Sequence, residues 1–262
     1  IFDVWYDSGV ASWATLRFPE TTEDFEKYWP ADMILEGQDQ TRGWFYSMLA
    51  LSTMAFGKSP YKSVLMHGFA LDANGKKMSK SLGNVVTPED VISNYGVDVM
   101  RQYIFSASAP WDDLRFSYEG IKTTLRMFNV LWNVYKFPLP YMALDNFAPK
   151  EVDGKWDASV VEDHIKEFGR EDRWLISRVN SLADQVTREM ELGNLHRATR
   201  PISTFVLDEL SRWYVQLVRP RMWLEEDSVS KIQAYETMYY VLRRLITIMA
   251  PFAPFVCEKM YQ

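Results

Sequence analysis

The chain has 262 residues, 47% of them hydrophobic and 24% charged, and 29 Lys+Arg against 35 Asp+Glu leave a formal net charge of −6. This is globular composition, which excludes wholesale disorder, and the length has room for one large domain or two of moderate size. No apolar run approaches the roughly 20 residues of a membrane helix, and the single Cys257 excludes a disulfide framework or a cysteine-built zinc or iron–sulfur site, as suits a reducing, cytoplasmic setting.

The chain begins at Ile1, not methionine, with a strand-like Ile1-Phe2-Asp3-Val4-Trp5 and no signal segment, so a piece of something longer is expected. Ala31-Asp32-Met33-Ile34-Leu35, stopped by Gly37, and Ser63-Val64-Leu65-Met66, stopped by Gly68, read as buried strands of a parallel sheet. Between them, 38–56 carries Phe45, Met48, Leu49 and Met54 without proline and predicts a helix ended by Gly57 and Pro60. Strand, helix, strand is a βαβ unit, which points to half of a doubly wound sheet.

The second half is helical. Leu175, Val179, Leu182 and Val186 recur at helical spacing, as do Ile202, Val206, Trp213 and Leu217, and then Val241, Leu245, Ile248 and Phe252. Turn signals at Gly193-Asn194 and Glu225-Glu226-Asp227-Ser228 separate them, and an antiparallel bundle is expected. The connection to the first half is expected at 138–169, which is rich in charges, proline and glycine.

Lys77-Met78-Ser79-Lys80-Ser81 follows the second strand and the turn Asp72-Ala73-Asn74-Gly75. Lysines on a loop at the carboxyl ends of parallel strands can stabilise a triphosphate as pyrophosphate leaves. Gly75 and Gly83 would let that loop close. A solvated basic turn is the bland alternative.

This pentapeptide resembles the signature of the class I aminoacyl-tRNA synthetases. Glu36-Gly37-Gln38-Asp39-Gln40-Thr41-Arg42-Gly43-Trp44-Phe45 is similar to the active-site segment of the isoleucyl branch, with a valyl-type enzyme disfavoured at 40–44. Asp3-Val4-Trp5-Tyr6-Asp7-Ser8-Gly9 resembles the strand that resumes that family's catalytic domain after its editing insertion. His67-Gly68-Phe69, Ala109-Pro110-Trp111-Asp112-Asp113, Ser211-Arg212-Trp213-Tyr214-Val215 and Met249-Ala250-Pro251-Phe252 fit the same family.

The resemblance implies three regions: 1–85, the C-terminal half of the Rossmann-type catalytic domain; 86–150, a connecting helical region; and 151–262, an incomplete anticodon-binding bundle. It implies activation of isoleucine with ATP and Mg2+ and transfer to tRNA(Ile), with no protein-bound metal and no membrane partner. Lys80 and Lys77 are the implied catalytic cations. Glu36, Gly37, Asp39, Gln40, His67, Gly68, Phe69, Met78, Ser79 and Ser81 are the implied ATP and adenylate contacts, with Trp5 and Trp44 as walls of the isoleucine pocket.

Each has a plainer structural reading: Glu36 and Asp39 as helix-capping carboxylates, the tryptophans as core, His67 as structural. In the bundle, Arg212, Trp213, Arg219 and Arg221 are candidate tRNA contacts, since guanidinium groups grip phosphates and aromatic rings stack on unpaired bases. With a net negative charge, such contacts must lie in local basic patches.

The family's His-x-Gly-His motif is absent from these residues. An isolated chain is therefore expected to be inactive in adenylate formation and to need an N-terminal portion of the same enzyme. The competing class is a non-catalytic tRNA-binding or regulatory module derived from a synthetase.

Overall fold

The computed structural model describes residues 3–153, 155–223 and 228–262. Ile1 and Phe2, and the turn signal at Glu225-Glu226-Asp227, lie outside the described residues. The chain resolves into two compact units, one formed by Ile1–Ser79 with Ala109–Arg115 and the other by Lys80–Ser108 with Phe116–Gln262. The expected connection at 138–169 lies inside the second unit.

The first unit opens with helices α1 (Val4–Gly9), α2 (Ala11–Ala14) and α3 (Glu23–Tyr28). The strand expected at 3–9 is therefore corrected to a helix. Asp3 is its N-cap, its side chain accepting the Trp5 N–H at 2.8 Å, and this local bond outweighs the β-propensity of Val4, Trp5 and Tyr6. The buried Gly9 holds the helix in place: a Cβ there would lie 3.1 Å from the Ser47 backbone.

The βαβ unit is present as read. Strand β1 (Ala31–Gly37), helix α4 (Trp44–Phe56) and strand β2 (Tyr61–His67) follow in order, with β1 and β2 parallel in register Ile34↔Val64 and Gly37↔His67. The helix is shorter than predicted, because 38–42 is a 3-10 turn that breaks at Gly43. Gly57, at φ +66°, caps α4 in the left-handed region.

Ile34, Phe45 and Met48 form the buried contact between sheet and helix. Met33, Leu35 and Val64 are exposed, against the expectation of buried strands. The sheet has two strands among the described residues and is packed against one helix, so its second face is uncovered. After β2, short β3 (Ala70–Leu71) pairs in parallel with β4 (Leu114–Arg115), bringing 109–115 back to the first unit.

The second unit contains α5 (Pro88–Tyr95), α6 (Val97–Ala107), α7 (Tyr118–Lys136) and α8 (Leu139–Leu144). A small hairpin, β5 (Glu151–Val152) and β6 (Lys155–Trp156), precedes α9 (Ser159–Glu162), α10 (Arg170–Glu191), α11 (Leu195–Thr204), α12 (Val215–Met222), α13 (Val229–Met249) and α14 (Pro254–Tyr261). The stripe of α10, Leu175, Val179, Leu182 and Val186, is buried as its spacing predicts, together with Val241, Leu245 and Phe252.

The second stripe departs from its prediction. Ile202 and Val206 are buried, but Trp213 and Leu217 face solvent. Between α11 and α12 the helix is π-helical over Phe205–Tyr214. Its i→i+5 bonding advances the buried phase in steps of five, from Phe205 to Leu210 to Val215. Tyr214 and Val218 take the inward positions assigned to Trp213 and Leu217.

Candidate functional site

The carboxyl ends of β1 and β2 set the first group of side chains. Gly37 and His67 are register partners, which brings Glu36 beside the imidazole: Glu36 Oε2 lies 4.0 Å from His67 Nε2 and accepts the Gly37 N–H at 3.2 Å. His67 Nδ1 lies 2.8 Å from the Gly68 carbonyl oxygen, which can only accept, so Nδ1 carries the hydrogen. Nε2 is the ring nitrogen turned toward Glu36. Both side chains are about half exposed, open to a ligand at the sheet's mouth.

The 3-10 turn after β1 places the next residues. A Cβ at Gly37 would lie 2.6 Å from Asp39 Oδ1, so only glycine lets this carboxylate fold back over the strand end. The Gln40 amide donates from Nε2 to Asp39 Oδ2 at 3.0 Å, and its Oε1 accepts the Trp44 N–H at 2.9 Å. Gln40 thus caps α4 and holds Asp39. Trp44 Nε1 donates to the Ser8 carbonyl at 2.9 Å, while Trp5 lies half exposed against Gly43, where a Cβ would meet its ring at 3.0 Å. Both implied pocket walls therefore stand where α1 meets the start of α4.

His67-Gly68-Phe69 is gripped by a segment 44 residues away. Gly68 N–H donates to the Pro110 carbonyl at 3.0 Å, and Phe69 N–H donates to Asp113 Oδ1 at 2.8 Å. The positioning role of Asp113 has no local signal in sequence.

The lysine-rich loop follows. Asp72 Oδ1 accepts the N–H groups of Asn74 and Lys76, each at 2.9 Å, and Gly75, at φ +77°, completes the turn. Lys77 pairs with Leu71 through a β-bridge, and its Nζ lies 5.8 Å from the centre of the Phe69 ring. Met78 and Ser79 are partly buried beside it in the first unit. Lys80 and Ser81 are exposed and begin a 3-10 turn, Lys80–Leu82, of the second unit. Gly83, at φ +63°, ends that turn, its N–H donating to the Lys80 carbonyl.

The four candidate RNA-contacting residues of the bundle differ among themselves. Arg212 is exposed and pairs with Asp208 at 2.6 Å, and Trp213 is exposed against Trp174. Arg219 lies between the Phe137 and Trp223 rings, its Cζ 5.5 and 5.7 Å from their centres. Arg221 turns inward, donating to Glu171 at 2.8 Å and to Asp172 at 2.8 and 3.0 Å.

Burial opposes the Arg221 charge, yet the hydrogen bonds and charge of Asp172 outweigh it and hold its pKa above the ordinary arginine value. Tyr214, fully buried, donates to Asp172 at 2.6 Å, and burial followed by that carboxylate drives its pKa well up. Arg221 is thus engaged internally. Likewise, Arg200 donates to the Ser106 and Ala107 carbonyls at the end of α6. Among the described residues no group of three or more His, Cys, Asp or Glu is arranged to hold a metal ion, and no helix is long and apolar enough to cross a membrane.

Two family profiles match the chain. Residues 1–117 match the one described as tRNA synthetases class I (I, L, M and V), and residues 172–262 match the anticodon-binding domain of tRNA ligase. With this sheet mouth and lysine loop, residues 1–117 belong to the class I aminoacyl-tRNA synthetases, and the helical residues 172–262 to the anticodon-binding domain of tRNA ligases.

Within that class its whole length is similar to isoleucine–tRNA ligases, with 81% identity to that of Methanocorpusculum labreanum and 64% to that of Methanoregula boonei. It spans 25% and 24% of those proteins, about a quarter of their length. Methionyl-tRNA synthetase of Mycobacterium tuberculosis bound by methionyl-adenylate shares the fold, with a TM-score of 0.78 over 98% of this chain and 49% of that one, at 24% identity. A LeuRS–tRNA–LeuAMS complex from Agrobacterium radiobacter does so at 0.72, covering 99% of this chain and 30% of that one, at 19% identity.

Proposed function

We propose that the polypeptide carrying these residues activates isoleucine with ATP to isoleucyl-adenylate and transfers it to tRNA(Ile). The observation that carries this reading is the set of polar groups at the carboxyl ends of two parallel strands. Glu36 and His67 lie side by side there, with Asp39 folded over Gly37 and the Lys77 loop following β3.

Glu36 and Asp39 accept hydrogen bonds from the amino acid's ammonium group and the ribose hydroxyls, Asp39 being oriented by Gln40. Gly68 and Phe69 border the adenine through their backbone. Trp5 and Trp44 offer apolar walls to a branched side chain, through burial and dispersion. Met78, Ser79 and Ser81 shape the loop that carries Lys77 and Lys80 to the phosphates, where the ammonium groups offset charge passing to pyrophosphate. Mg2+ would accompany ATP as the counter-ion of its phosphates.

The phosphate-binding constellation is completed by a His-x-Gly-His segment that these 262 residues do not contain. The chain alone is therefore inactive in adenylate formation. Isoleucine-dependent ATP–pyrophosphate exchange with the purified chain tests this: background exchange is expected, and exchange at the rate of an intact enzyme would overturn it. We further propose that the second unit contacts tRNA through Arg212, Trp213 and Arg219, with Arg221 supporting from inside.

A further inference from the structure

Along the seam between α10 and the π-helical segment, two side-chain pairs join the helices one turn apart. Trp174 and Trp213 have ring centres 4.2 Å apart, and Arg178 grips Glu209 with two hydrogen bonds of 2.7 and 2.9 Å. Both indoles remain more than a third exposed, 36% and 41%. An unbroken α-helix through Ile202 and Val206 would turn residue 213 inward, so the π segment is what displays this ring.

The neighbouring Arg178–Glu209 rung forms part of a recess of about 340 Å3 lined also by Ser181, Gln185, Arg200 and Thr204. Its two guanidinium groups are held in fixed geometry, one by Glu209 and the other by the Ser106 and Ala107 carbonyls. Exposed Arg170, Arg173 and Arg212 flank the tryptophans in sequence.

We propose that Trp174 and Trp213 form a stacking platform for one unpaired RNA base, with the adjoining recess binding the polar edge of the same nucleotide. This rests on the reading of the second unit as RNA-binding, which the anticodon-domain match over 172–262 supports. A flat π-surface accepts any base, while hydroxyls, an amide and fixed arginines beside it suit a nucleotide better than an apolar protein side chain.

The test measures affinity of the purified chain for an RNA hairpin with an unpaired loop and for a blunt duplex of the same stem, by fluorescence anisotropy at one salt concentration. Trp213→Ala is expected to weaken hairpin binding about ten-fold or more and to leave duplex binding unchanged. Trp213→Phe should keep most of the affinity, with thermal unfolding verifying that both variants are folded. Wild-type hairpin affinity in a folded Trp213→Ala variant, or equal losses on hairpin and duplex, would overturn the platform while leaving RNA binding by the unit intact. If the wild-type chain binds neither RNA, the RNA-binding reading fails and the platform with it.

Discussion

Gly68 approaches Asp112 so closely that a Cβ at residue 68 would lie 2.4 Å from the Asp112 carbonyl carbon and oxygen. The obstacle is backbone, which cannot swing aside as a flexible side chain would. The contact belongs to the clamp in which Pro110 and Asp113 receive the N–H groups of Gly68 and Phe69. Gly68→Ala should destabilise the first unit by about 1–3 kcal/mol, read as a lower urea midpoint of its transition. An unchanged midpoint would mean that the two segments separate at no cost.

Asp172 is fully buried and receives bonds from both Arg221 and Tyr214. Removing it leaves a guanidinium group with little access to water and, among the described residues, only Glu171 and the Ser230 carbonyl as partners. Asp172→Ala is expected to cost about 3–5 kcal/mol, whereas Tyr214→Phe, which deletes a single donor, should cost nearer 1 kcal/mol. Chemical denaturation of the two variants side by side checks the ranking.

Asp145 accepts from Lys231 at 2.5 Å and from the Tyr235 hydroxyl at 2.6 Å, and these two hydrogen bonds hold its pKa below the ordinary aspartate value. Because the folded pKa is depressed, its contribution is fully present above the unfolded value of about 3.9 and disappears as pH falls through the folded one. Asp145→Asn should be less stable than wild type at neutral pH. The difference should shrink as pH drops below about 4, in thermal unfolding measured across pH 7 to 2.

Cys257 is buried in α14, where burial first and then the nearby Asp98 charge push the thiol pKa up to about 12. At pH 8 the nucleophilic thiolate is scarce as well as shielded. The native chain should react negligibly with a disulfide reagent and stoichiometrically once unfolded in guanidinium.

The β1–α4–β2 unit was legible because it rests on local signals, glycine-bounded apolar runs around a proline-free helical stretch. Residues 3–9 looked like a strand because apolar side chains dominate there, and one capping bond from Asp3 decides the matter. A 3.6-residue period turns Trp213 and Leu217 inward, but the backbone of Phe205–Tyr214 is π-helical and shifts that phase. Family resemblance singles out Gln40 as an adenylate contact but does not reveal that its amide serves Asp39 and α4. The embrace of 67–69 by 109–113 involves partners more than 40 positions apart and carries no periodic signature.

The most direct measurement is single-turnover formation of isoleucyl-adenylate by a polypeptide carrying these residues together with a His-x-Gly-His segment, compared with its Lys80→Ala variant. The expected result is adenylate formation slowed by 100-fold or more, on the order of 3 kcal/mol of lost transition-state stabilisation, with isoleucine affinity nearly unchanged. Unchanged single-turnover activation in Lys80→Ala, or activation that does not require isoleucine, would contradict the proposed chemistry.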